Sequence, residues 1–239
     1  MANHDHKIKQ IVLKNEMSQD EANRIIDQQK SRLFSRLLKR TDKDEIIVDS
    51  LNLVYESYLI LSGKYAADFY CTTKHAINVD PTVKEVVIAD GIFPVRTEDR
   101  MLDRIQVKMN PLHKNQVDID LEEHRHIENE AKIAVDHRGN ATDFSYRIDS
   151  RTVESYPQHI LDNNKNIITR PQIDYNDIIG KLVSKLKEIL PTNKIRNLEE
   201  SISKDDILEV YVPRYEARLT GPKNEIKVLR VDAITKKIL

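Results

Sequence analysis

The two ends of this chain resemble each other, and that limits what it can fold into more than any other feature. Near the start it reads VYESYLILSGKY (Val54 to Tyr65), then INVDPTVKEVVI (Ile77 to Ile88). At the end it reads VYVPRYEARLTGPK (Val210 to Lys223), then LRVDAITKKIL (Leu229 to Leu239). A helix-like stretch precedes each copy. The pattern predicts one helix-then-strands unit used twice. A duplicated unit of this kind points to a scaffold or binding module more than to a catalytic centre.

The first unit is expected over 1–94. Ser18-Gln19-Asp20-Glu21 is a capping box, in which the Ser18 hydroxyl accepts from the Glu21 amide. Ala22, Ile25, Ile26, Leu33, Leu37 and Leu38 then recur at helical spacing, and Arg36, Lys39 and Arg40 collect where cations favour the helix dipole. Val54 to Leu61 and Tyr65 to Tyr70 read as strands joined by a turn at Ser62-Gly63, with further strands at Ile77 to Asp80 and Val83 to Ile88. A β-rich middle segment is expected over 95–170. Ile105 to Met109, Val117 to Leu121 and Ala131 to Val135 read as strands, and His137 to Asn140 as a turn. Glu122 to Lys132 fits either a long exposed strand or a short helix. The second unit, 171–239, opens with a helix capped by Asp174 and stopped by Pro191. Ile195 to Lys204 reads as a short helix or loop, and the terminal hairpin follows. The fold class is α+β.

The last copy, EVYVPRYEARL followed by VLRVDAITKKIL, is similar to PepSY-type repeats, in which a helix precedes a small antiparallel sheet. Such modules end a strand on Val-Asp-Ala-x-Thr-Gly, and Lys236 stands at the Gly position here. The resemblance covers about the last thirty-five residues. It implies a non-catalytic interaction or inhibitory module and assigns no functional residue.

Composition excludes several classes. Hydrophobic residues make up 39% and charged residues 32%, but Ile, Leu and Val recur in periodic runs, which disordered chains lack. The net charge of −1 argues against a dedicated nucleic-acid binder, whose affinity comes from neutralising phosphates. The single cysteine, Cys71, allows no intramolecular disulfide and fits a reducing compartment. The N-terminus lacks the apolar core of a signal peptide, and no run reaches the ~18 apolar residues of a membrane span. A cytoplasmic protein with no membrane contact is expected.

Each candidate for chemistry has a plainer explanation. His124 and His126 would share one face of a strand and could hold a metal with a carboxylate, but no third ligand follows at a diagnostic spacing. Asp80, Lys84 and Glu85 resemble the carboxylate–lysine set of metal-dependent nucleases, though an Asp before a tight turn is explained by its own backbone contacts. Cys71 could be a nucleophile with His75 close in sequence, but a thiolate needs an electropositive, partly exposed site, and a packed thiol in or at the exit of a strand is the plainer reading. The five glycines are isolated, so no phosphate-cradling loop exists. No cofactor or metal is expected.

The tyrosines remain. Tyr55, Tyr58, Tyr211 and Tyr215 fall at matching places in the two copies, and Tyr is favoured at interfaces for its rigid ring and polar tip. Pro213 cannot donate to a ladder, which predicts an edge or a bulge there. The reading is a non-enzymatic module that binds a protein or peptide partner through these four tyrosines, with homo-oligomerisation open. Two alternatives stand beside it. One is a metal-dependent hydrolase or nuclease around Asp80, Glu85 and the middle histidines. The other is a nucleic-acid accessory protein using the basic stretch from Arg32 to Lys43.

Overall fold

A computed structural model describes residues 7–34, 42–80, 82–95, 115–192 and 194–239. The fold is α+β: three α-helices and nine strands among the described residues. Two compact units divide the chain. The first comprises the described residues of Met1–Lys64, Glu130–Leu186 and Ser203–Leu239; the second comprises those of Tyr65–Asn129 and Lys187–Ile202. This division cuts across all three consecutive segments expected from the sequence.

The first unit is organised around β8 (Ile207–Thr220). On one edge it pairs antiparallel with β2 (Ile47–Val79), from Ile47↔Thr220 to Ile60↔Leu208. Its other edge is shared: β1 (Ile8–Val12) runs parallel beside 207–211, and β9 (Ile226–Asp232) runs antiparallel beside 214–220. A two-residue strand, β6 (Ile168–Thr169), adds to β2 at Tyr55 and Glu56.

Both faces of this sheet are covered. Helix α1 (Gln19–Phe34) starts at the expected capping box, with the Glu21 amide donating to Ser18 Oγ at 3.2 Å. It buries Ala22, Ile26 and Phe34 against Tyr215, Ala217, Leu219, Leu229 and Val231. Helix α2 (Pro157–Asn163) places Leu161 against Val12, Tyr55 and Tyr211 on the same side. On the opposite face Ile11, Leu13, Tyr58, Ile60, Val210 and Val212 pack under Phe144, Tyr146, Ile148 and Val153. Burying aliphatic and aromatic side chains of this size stabilises the unit by roughly 1.5–3 kcal/mol each, before chain entropy is set against it. The basic run Arg36, Lys39 and Arg40 lies outside the described residues.

Four expectations are corrected. The first copy is not a hairpin: β2 runs unbroken for 33 residues through Ser62-Gly63. Gly63 is needed for close approach, since a Cβ there would stand 2.8 Å from the Ser203 carbonyl oxygen and 3.0 Å from Leu182 Cδ2. Leu182 belongs to α3 (Tyr175–Lys187), which opens as expected with Asp174 Oδ1 accepting from the Asn176 amide. The end copy is a hairpin, β8–β9, so the two copies take different forms and pair with each other in one sheet. Pro213 lies on central β8, neither at an edge nor at a bulge. Its carbonyl accepts from Ala233, on the edge shared by β1 and β9. A residue's N–H and C=O point the same way in a strand. The missing N–H therefore faces Ala233, just beyond the end of β9, and the Ala233 carbonyl accepts from the Glu16 amide instead. Finally, Ile195–Lys204 is a strand, β7. Its side chains are almost all exposed, so no apolar alternation announces it; backbone pairing to β2 makes it a strand.

The second unit holds residues 65–79 of β2, most of β7, and residues 115–129 of β5 (Asn115–Asp136). The ambiguous stretch 122–132 is part of that one long strand. Both β5 and β7 pair with β2. A separate hairpin joins β3 (Glu85–Ile88) to β4 (Gly91–Pro94), with Ala89 at φ 49 in the turn. The expected strand at Ile105 to Met109 lies outside the described residues. No helix among the described residues is long and apolar enough to cross a membrane.

Candidate binding face

The four tyrosines expected at a binding surface are core residues. Tyr55, Tyr58, Tyr211 and Tyr215 are 6%, 7%, 1% and 5% exposed. Their hydroxyls serve the interior: Tyr211 donates to Glu209 Oε1 at 2.7 Å, and Tyr215 donates to the Met17 carbonyl at 3.1 Å. Tyr58 accepts from Arg214, and burial pushes its hydroxyl up to about 12. Period-2 alternation assigns residues to two faces of a strand but does not say which face is wet. Here neither is, so tyrosines of both parities are buried.

The nuclease-like set does not converge. Asp80 Oδ1 accepts from the Thr82 hydroxyl at 2.6 Å and the Thr82 amide at 2.8 Å, so the carboxylate serves its own turn. Those bonds hold its carboxyl below the ordinary value. Glu85 is exposed on β3. Among the described residues no three His, Cys, Asp or Glu side chains group as a metal site requires.

His124 and His126 do share a face, on the second unit's sheet. His124 stacks on Tyr70 of β2, ring centroids 4.5 Å apart and planes 12° from parallel. The Arg196 guanidinium of β7 lies 5.7 Å from the centroid of the same tyrosine and pairs with Glu122. His126 contacts Asp68 at 3.1 Å and Glu128 at 3.2 Å. Glu128 and Asp68 raise its pKa, in that order of importance. Three strands thus contribute to one solvent-facing array, and Lys74 closes it with a 3.1 Å pair to Asp118. Among the described residues the array carries five carboxylates, Asp68, Asp118, Asp120, Glu122 and Glu128, against two permanent cations, Lys74 and Arg196.

On the reverse side Glu123 is held by Arg125 Nε at 2.7 Å, His75 Nε2 at 2.6 Å and Thr73 Oγ1 at 2.9 Å. These contacts, Arg125 foremost, take its carboxyl down to about 2. Cys71 is buried, with Thr73 Oγ1 at 3.9 Å from its sulfur. His75 stands four positions along the same strand, about 13 Å away, beyond the reach of a thiol–imidazole pair.

A second polar group lies inside the first unit, and the sequence reading missed it. Arg214 of β8 pairs with Glu56 of β2, and Tyr146 donates to Asp232 of β9. His137 Nδ1 is 2.9 Å from Glu56 Oε1 but out of line for a hydrogen bond, so the contact is one of proximity. Burial lowers the His137 pKa. The signal was present: Glu56 interrupts VYESYLIL and Arg214 interrupts VYVPRYEARL, and a charge inside an apolar strand needs a buried partner. This group is enclosed by the packing around it and reads as part of the core.

No family model, no curated protein and no solved structure matches the chain.

Proposed function

We propose that this protein is a non-enzymatic binding module for a protein or peptide segment, and that the array around Tyr70 receives it. One observation carries the reading: an aromatic ring pre-oriented by its neighbours stands on a solvent-facing strand surface. Tyr70 is fixed by His124 on one side and Arg196 near its ring. A ring already ordered loses little entropy on binding, and Tyr and Arg are the residues that most often anchor interfaces. Selection of displayed peptides on the purified protein tests the reading. Enriched peptides should lose at least about tenfold in affinity to Tyr70→Ala, a hot-spot-sized effect, while the variant melts as the parent does. Enrichment no better than the starting library would sink the binding reading. Enriched peptides that ignore Tyr70→Ala would move the site elsewhere.

A further inference from the structure

We infer that the segment received by this face is extended and basic, with Lys or Arg at every second position; the inference deepens the binding reading and rests on it. Strand β5 is the last strand in the order beyond β2. Over residues 119–128 it pairs, among the described residues, with β2 alone, and its outer edge is where an added strand would find main-chain donors and acceptors. Side chains on one face of a strand recur every ~6.6–6.8 Å. Along β5 the solvent-facing positions read Asp120, Glu122, His124, His126 and Glu128. A strand laid against that edge presents alternate side chains to this row at the same spacing.

Charge decides which side chains those are. Among the described residues Asp120 makes no ion pair and the face keeps more carboxylates than cations. An acidic segment would meet like charge directly opposite, and phosphate-bearing nucleic acid would be repelled in the same way. A basic segment with charge at every second residue sets cations opposite Asp120, Glu122 and Glu128, on either side of the two histidines, whereas one with its charges in a block turns half of them to the other face.

Fluorescence anisotropy with labelled octapeptides tests this. The probes are alternating Lys-Thr, the block isomer of equal composition, alternating Ser-Thr, alternating Glu-Thr, an alternating Lys-Thr peptide N-methylated along one edge, and a single-stranded oligonucleotide. The alternating basic peptide should bind at least about tenfold tighter than the acidic and neutral ones, and weaken as ionic strength rises. N-methylation should abolish the preference over the block isomer, because it removes main-chain pairing without changing charge. Asp120→Asn with Glu128→Gln, both exposed, should cost the basic peptide roughly tenfold without altering thermal unfolding. Neutral or acidic peptides that bind as tightly, in a Tyr70-dependent way, would overturn the basic partner and leave the binding module standing. Equal binding of the block isomer would overturn the extended register. Preference for the oligonucleotide would overturn a peptide partner. Failure of every probe, together with an unenriched peptide selection, would overturn both proposals.

Discussion

Arg214 and Glu56 form an ion pair inside the first unit, their side chains 11% and 12% exposed, on adjacent strands of one sheet. Arg214 also donates to Tyr58 and lies across the ladder from Asp232, its direct partner on β9. Removing one member of such a pair leaves an uncompensated buried charge. Glu56→Gln or Arg214→Met alone should therefore destabilise by about 3–5 kcal/mol, whereas Glu56→Leu with Arg214→Met should cost less than the sum of the single changes. Urea denaturation at neutral pH measures all of these. Additive losses would mean the two side chains act independently.

Glu123 makes a prediction about acid. Its carboxyl titrates near 2 in the folded protein, below its ordinary value of 4.5, because Arg125, His75 and Thr73 donate to the charged form. A carboxyl depressed by folding contributes stability that is fully present above its unfolded value and is lost as pH falls through its folded value. The parent should therefore lose melting temperature between pH 4.5 and about 2 more steeply than Glu123→Gln, and the two curves should run parallel above that window. Parallel curves throughout would show that the three donors do not favour the ionised form.

The unbroken course of β2 is tested at Gly63. Replacement by Ala sets a methyl group 2.8 Å from a main-chain oxygen of Ser203, which cannot rotate away. The strand or its neighbour must move, at a cost of about 1–3 kcal/mol. A permissive exposed turn at this site would tolerate the change, so a melting temperature equal to the parent's would restore the hairpin expected from the sequence.

At Lys236 the fold asks for what the sequence withholds. The residue has φ 59, in the region glycine occupies without penalty, and it follows the Asp232 turn, whose carboxylate accepts from Ile234 and Thr235. Lys236→Gly should relieve about 1 kcal/mol of backbone strain, partly offset by loss of the exposed 2.7 Å pair with Glu21. Thermal unfolding of Lys236→Gly beside Lys236→Ala separates the two, since Ala loses the pair and keeps the strain. Equal stability of the two variants would show no strain at that position.

What could be read beforehand was local. The capping box at Ser18 reports on bonds within one turn, and the apolar faces of α1 and α3 repeat within a few residues. What could not be read depends on partners far away. The meaning of Gly63 is set by Ser203, and the tolerance of Pro213 by where β1 and β9 stop. The burial of Tyr55 and Tyr58 depends on two separate coverings of one sheet. The candidate face was half visible: the parity of His124 and His126 was plain, but Tyr70 and Arg196 reach it from other strands. Strand β7 carried no periodic signal because nearly all of it is wet.

The pairing of β8 with β1 and β2 also sets an order of events during synthesis. Ile8 is opposite Ile207 and Tyr58 opposite Val210, so the two early strands wait for a partner translated much later. Until residues 207–232 emerge, Leu59, Ile60 and their neighbours have no β8 beside them, and the sheet of the first unit cannot close. Closure at such sequence separation is slow, and an interrupted chain presents bare apolar strand to its neighbours. The last strands act as a latch: a chain halted before them has made the residues of the first helix but not the strands its apolar face packs on, and is prone to aggregate.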